Sequence, residues 1–426
     1  MTPQDPGVTY PSRRGLAAFL ATVLLIAAPA PLLARTLADQ LSSFITDNSF
    51  FLANGIDFDS LTPTLERIVV QSTDLPATGT VPAVTYAYDP ETGIPVRSGR
   101  FAGSVFLENA ETVGRHALLL GVAYEHADLD RFDGQDAASA LRFTNSLPAV
   151  DTTTGQRLRV VNHFDFQDFA IHLDDVSLSG TFGLTSDWDV NVLLPLVRTE
   201  LDTRARSQNF TVYPGQRPLP DRPTTLSLEA DAFGVGDLLL RTKYRLASTW
   251  LVDVASAFVL RVPTGNEGNF QGLGDWTVTP LLVLSRGFGP FEVRANLGME
   301  LNADQVSRSR ARYGIGATGQ VTDWLAGFFD LVGNSGLTTY GFTETGVAPP
   351  GSRFRGPFQT TPATAAANGA VQVTSTVPRT DIVDLAMGLK FRIVGRATGF
   401  VSAIVPINSD GLRAAVLPAG GIEYLF

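Results

Sequence analysis

The chain has 426 residues, 17% of them charged, a net charge of −10 and no cysteine. The acidic balance gives no basic stripe for nucleic acid, and beyond the N-terminus no apolar run reaches the roughly 18 residues that a membrane helix needs, which excludes a helical membrane protein. The absent cysteine fits an oxidising envelope and a reduced cytosol equally, so it does not discriminate.

At the start of the chain Arg13 and Arg14 precede GLAAFLATVLLIAA, followed by PAPLLA and Arg35. A charged start, a short apolar core and a small-residue site predict a secretory signal peptide over 1–34, cleaved after Ala34. The run is short for a hydrocarbon core of about 30 Å, which argues against a permanent anchor. SRRGLAAFL also bears a loose likeness to a twin-arginine signal. Residues 35–114 follow a different pattern. ADQLSSFITDNSFFLANGIDFDSL predicts a short amphipathic helix and TGTVPAVTYAYDPETGIPVRSGRF a turn-rich, irregular stretch. This segment is either periplasmic or a plug folded into a lumen.

From residue 115 to 426 runs of about ten alternating residues are separated by turn residues, which predicts an all-β, transmembrane antiparallel β-barrel. In FEVRANLGMELN, Phe291, Val293, Ala295, Leu297, Met299 and Leu301 share one face, and Glu292, Arg294, Asn296, Glu300 and Asn302 the other. The first face meets lipid and the second the lumen. Runs at 116–126, 173–184, 188–199, 236–246, 250–262, 274–286, 291–302, 310–321, 325–334, 381–392, 396–407 and 413–426 give about 12 strands, an even number as in single-chain bacterial barrels. Their connections alternate short (185–187, 247–249, 286–289, 322–324, 394–396) with longer (127–172, 201–232, 263–273, 303–309, 335–380, 408–412). Short turns are periplasmic and long loops extracellular in such barrels. The terminal GGIEYLF is then the closing strand. Its outward Tyr424 and Phe426 lie at the inner interface with Tyr244, Trp250 and Trp276 as further interface aromatics, and its end is the kind of segment that the barrel-assembly machinery reads.

LENAETVGRHALLLGVAYEH, LTSDWDVNVLLPLV, GVGDLLLRTKYRL, LRVPTGNEGNFQGLGDWTVTPLLVLSRGFGPFEVRANLG and the closing GIEYLF, in this order and spacing, resemble the MetA-pathway phenol-degradation or "transporter" family of outer-membrane barrels. The resemblance covers about 106–426. It implies a bacterial outer-membrane barrel that moves aromatic or other small organic compounds, with no catalytic motif to carry over.

No catalytic set or cofactor motif stands out, so the chain reads as a non-enzyme without a cofactor. His116, His126, His163 and His172 have no metal-ligand spacing. Asp128, Asp130, Asp133 and Asp136 crowd around Gly134, a Ca²⁺-like grouping that misses the EF-hand spacing, and their alternative reading is a solvated loop. The inward residues Asp237, Arg241, Lys243, Arg245, Asp253, Arg261, Glu292, Arg294, Glu300, Arg310, Arg312 and Asp330 are the lumen-lining candidates. They either pair across strands or form a charged selectivity surface. The partners are thus outer-membrane lipid, a small-molecule solute and the assembly machinery, without nucleic acid. A channel for small, aromatic or apolar compounds is the leading function, and a non-transporting envelope scaffold or surface-binding barrel is the alternative.

Overall fold

The computed structural model describes residues 35–48, the two short strands Ala87–Tyr88 and Pro95–Val96, and 105–426 apart from 357–361 and 378. The predicted signal peptide lies outside the described residues. Twelve antiparallel strands close on themselves. They are β1 (Leu118–Phe132), β2 (Arg157–Gly183), β3 (Trp188–Val212), β4 (Thr224–Val235 continued by Leu238–Ser248), β5 (Asp253–Val262) and β6 (Thr277–Phe288). Then follow β7 (Phe291–Asn302), β8 (Arg310–Gln320), β9 (Leu325–Gly336), β10 (Asp381–Val394), β11 (Ala397–Pro406) and β12 (Leu417–Leu425). The ring closes where β12 pairs with β1, Tyr424 opposite Leu120 and Ala419 opposite Glu125.

Alternation decides which face each residue takes. Val122, Tyr124, Leu178, Phe258, Leu282, Leu297, Ile315, Leu331, Val401 and Ile422 are large, apolar and exposed on the outer wall. On a water-soluble molecule this band would be a severe liability, and in a bilayer it is the lipid-facing belt. The interface aromatics Tyr244, Trp250, Trp276, Tyr424 and Phe426 are all exposed, Trp250 to 83%. The Tyr424 and Phe426 rings stack edge to face, 4.7 Å apart.

The structure corrects the sequence in the long connections. Much of 127–172 and 201–232, read as loop, is strand: β2 has 27 residues and β3 has 25. A membrane crossing needs only about 9–11 residues, so these strands extend far beyond the belt on the extracellular side. There Arg142–Val150 pairs with β2 and with Arg353–Arg355. Within 335–380, Tyr340–Val347 pairs with Ala370–Val377. Outside the membrane the outward residues of these segments are polar, which hides the inward sequence of Phe164, Phe166, Phe169 and Ile171.

Strand β4 is broken at Gly236 and Asp237. Both halves pair with β3, but only the lower half pairs with β5. The connection after β5 folds against the break: Gln271 Nε2 donates to Val197 O (3.3 Å), while Asp237 accepts from Gly265 N (3.1 Å) and Leu273 N (2.8 Å).

With the short turns periplasmic, cysteines placed singly at Asn368 and Gly215 should react with an impermeant maleimide on intact cells, and cysteines at Ser248 and Gly395 should not. Surface labelling of Ser248 or Gly395 would reverse the orientation.

Candidate functional site

The interior carries two zones. In the first, residues 105–117 thread through the lumen and are gripped by the inward charges of β3 and β4. Glu108 bonds Arg241 and lies 3.4 Å from Lys243 Nζ, and Arg241 reaches Asp189 at 3.4 Å. Arg241 and Glu108 are nearly dry, their side chains 1% and 6% exposed. Lys243 Nζ also donates to Asn109 O (3.1 Å). Asn296 of β7, with its amide oriented to match, donates to Glu108 O (3.0 Å) and accepts from Glu108 N (2.7 Å). Ala110 N donates to Ser285 Oγ (3.1 Å), Val113 N to Asp189 Oδ2 (3.3 Å) and Thr112 Oγ1 to Ser186 O (2.6 Å). The threaded backbone thus finds wall partners for its polar groups, as burial requires.

Shape complements charge. Ala110 packs on Ala255, Ala257 and Val283, whose small inward side chains leave room for a second layer, and Val105 packs on Ala123, Phe328 and Phe400. Where the segment meets the wall beside β2, a Cβ on Gly183 would fall 1.7 Å from Gly114 O, so only glycine fits there.

The second zone is the extracellular half. Its inner wall is aromatic: Phe143, Phe164, Phe166 and Phe169 are buried, with ring centroids 5.4 Å apart for Phe164 and Phe166 and 5.7 Å for Phe166 and Phe169, both edge to face. Helix α1 (Leu37–Asn48) lies in this trough. Leu37, Leu41, Phe44 and Ile45, spaced to share one helical face, are all buried in the same cluster. The Phe44 ring stands edge-on to Phe164 at 5.9 Å. Thr36 and Asp39 form a reciprocal cap, Asp39 N to Thr36 Oγ1 (3.1 Å) and Thr36 N to Asp39 Oδ2 (3.2 Å). Both helix ends are tethered: Leu37 N donates to Asn269 Oδ1 (3.0 Å), and Ser207 Oγ to Asn48 O (2.8 Å).

Of the lumen-lining candidates, Asp237, Arg241, Lys243, Glu292, Arg294, Glu300, Arg310 and Asp330 are buried on the inner face. Arg261 lies 3.6 Å from Asp237, and Arg312 holds Glu300 through Nε (2.8 Å) and Nη2 (2.6 Å). Arg294 bonds Thr318, and Asp330 feels the charges of Arg294, Lys390 and Glu292. Arg245 and Asp253 instead sit at the short-turn rim: Arg245 Nε donates to Asp187 Oδ1 (2.8 Å), and Asp253 accepts from Ser248.

The four clustered aspartates do not converge. Asp128 takes His126 (3.1 Å) and His172, Asp130 lies 4.0 Å from Arg131, Asp133 accepts from Gly411 N (2.7 Å), and Asp136 caps a short helix through Ala138 N (2.9 Å). Among the described residues no group of three or more His, Cys, Asp or Glu is placed to hold a metal ion. His126 Nδ1 also contacts Asp174 (2.8 Å), and His163 meets Phe210 edge to face.

Sequence reasoning missed Glu108, Asp189, Lys390 and Glu423 as interior charges. Alternation could have found Asp189 beside Trp188 and Val190, and Lys390 in GLKFRIV. Nothing local marks Glu108, whose partners are more than 80 residues away.

A closed twelve-stranded barrel with an apolar outer belt and an occupied lumen is a transmembrane barrel of the bacterial outer membrane. The chain belongs to the family described as "MetA-pathway of phenol degradation", whose sequence profile matches residues 149–379. Among solved structures, the chain is similar to an outer membrane channel from Pseudomonas putida F1 (12% identity, 74% of this chain and 98% of that chain, TM-score 0.44). It is also similar to a Pseudomonas aeruginosa FadL homologue (10%, 82% and 98%, TM-score 0.30) and to the P. putida toluene transporter TodX (9%, 80% and 98%, TM-score 0.32). A search of curated proteins finds no match.

Replacing Arg241 by Met should cost about 3–5 kcal/mol, because it strips a dry carboxylate of its main partner. The Glu108→Gln, Arg241→Met double variant should recover the part of that loss that belongs to Glu108, the remainder belonging to buried Asp189. Urea unfolding followed by tryptophan fluorescence measures both, and equal losses in the two variants would dismiss the coupling.

Proposed function

We propose that this barrel is an outer-membrane channel for small apolar, chiefly aromatic compounds, stoppered at rest by residues 105–117 and by α1. The observation that carries the reading is the extracellular trough. A pore for ions or sugars needs a polar, wet wall, whereas this one presents Phe143, Phe164, Phe166 and Phe169 inward. Edge-to-face packing gives an aromatic ring about 0.5–1.5 kcal/mol beyond its area burial, so such a wall favours aromatic solutes over aliphatic ones of equal size. The family description, which concerns phenol degradation, supports the same substrate class.

The interior charges serve, on this reading, to seat the stopper rather than to select ions. Arg241 and Lys243 are turned onto Glu108 and Asn109 and are not open to a passing solute.

The test uses cells whose outer leaflet excludes the fluorescent apolar probe N-phenyl-1-naphthylamine. Expression of the barrel should speed probe uptake, Phe164→Ala with Phe166→Ala should slow it several-fold, and Leu41→Asp with Phe44→Asp should raise resting conductance in planar bilayers. If a folded barrel leaves uptake at the level of non-expressing cells, the channel reading gives way to that of a non-transporting scaffold.

A further inference from the structure

The net charge of −10 conceals a cationic face. Above the belt, Arg353–Arg355, Arg142–Val150 and the start of β2 form one continuous extracellular sheet. Phe354, Phe143, Leu147 and Phe164 are buried on its inner side. The period of two sends the alternate residues outward: Arg353 and Arg355 on the first strand, Arg142 on the second, and Arg157, Arg159, His163 and Asp165 on the third. The next strand adds Arg206, opposite Asp165.

Within 142–150, 157–165 and 353–355 the one outward carboxylate is Asp165, and Arg142 takes it at 2.8 Å. Arg159 is held by Ser146 Oγ (2.9 Å) and Gly351 O (3.0 Å), close enough to feel the like charge of Arg353. Among the described residues no carboxylate pairs with Arg157, Arg353 or Arg355. Asp151, next along the chain from Val150, is engaged by the Tyr213 hydroxyl (2.8 Å) and by Thr153 N (2.8 Å). Like charges set side by side on neighbouring strands are destabilising, and Asp165 offsets them at Arg142 alone.

The face stands outside the cell, beyond an outer leaflet whose saccharide carries phosphate. We propose that it docks on the phosphate-bearing saccharide of lipopolysaccharide. Guanidinium groups suit this partner because their planar fork meets phosphate oxygens two at a time, and the spread of arginines over three strands matches a polyanion better than a single small anion. Such docking fixes the extracellular sheet, and with it the mouth of the aromatic trough, against the leaflet.

The full chain in detergent is tested against immobilised deep-rough lipopolysaccharide and against the same material after chemical dephosphorylation. The wild type should bind the phosphorylated form at least ten-fold more tightly, with affinity falling as salt rises, and Arg157→Ser, Arg353→Ser, Arg355→Ser together should remove most of that preference. Arg159 is left intact because it also bonds Ser146 and Gly351. Should the triple variant fail the heat-shift test for a folded barrel, Arg353→Ser and Arg355→Ser are each read alone. Equal binding of dephosphorylated material, undiminished binding by the folded variants, or tighter capture of duplex DNA than of lipopolysaccharide would each overturn the assignment.

Discussion

Pairing of β12 with β1 is the contact on which the rest depends. In hydrocarbon an unpaired peptide group costs several kcal/mol, so a sheet can cross the membrane only without an edge. Here the last strand supplies the missing edge down to Phe426 N, which donates to Leu118 O at 2.8 Å. Closure at twelve strands then sets the bore. An eight-stranded barrel is filled by its own side chains and a sixteen-stranded one holds a water channel, so twelve leave room for one further layer of chain. Residues 105–117 are that layer.

The narrow bore explains the charge pattern. An ion inside it is removed from most of its water, and an unpaired one is strongly disfavoured. Glu108 therefore stands against Arg241 and Lys243, Asp237 against Arg261, and Glu300 against Arg312. Ion pairs continue to the long-connection ends of the strands, at Asp237–Arg261 and Glu300–Arg312, and phenylalanine takes over the inner wall where β2 and β3 run on beyond the belt.

The barrel was legible in the sequence because lipid on one side and a polar lumen on the other impose strict alternation, as in FEVRANLGMELN. The same rule gave the inward position of Arg241, Lys243, Arg294 and Asp330. It failed above the membrane, where both faces change character. There His163, Asp165 and Arg206 point outward, so the stretch around Phe164 looks like a polar loop. Strand pairs joining Asp165 to Arg206 and His163 to Gln208 become visible only in three dimensions. The grip on Glu108 was illegible for another reason. A buried ion pair between an irregular segment and a distant strand leaves no periodicity, and the alternation that places Arg241 inward is silent about what meets it.

The proposed route depends on how much of the stopper a solute must displace. The four apolar side chains of α1 each contribute about 1.5–3 kcal/mol when fully buried, and the helix is also held at Asn269 and Ser207. One aromatic ring buries about as much as the Phe44 side chain alone. A single solute molecule therefore cannot expel α1, but it can exchange for the Phe44 ring against Phe164 and Phe166 while Leu37, Leu41 and the two tethers stay in place. Entry at the mouth and release of the lower stopper are then separate events. On the proposed reading the first is governed by aromatic packing on α1 and the second by the charges around Glu108, so a solute that lacks a ring is disfavoured at the first step by about the 0.5–1.5 kcal/mol that ring packing contributes.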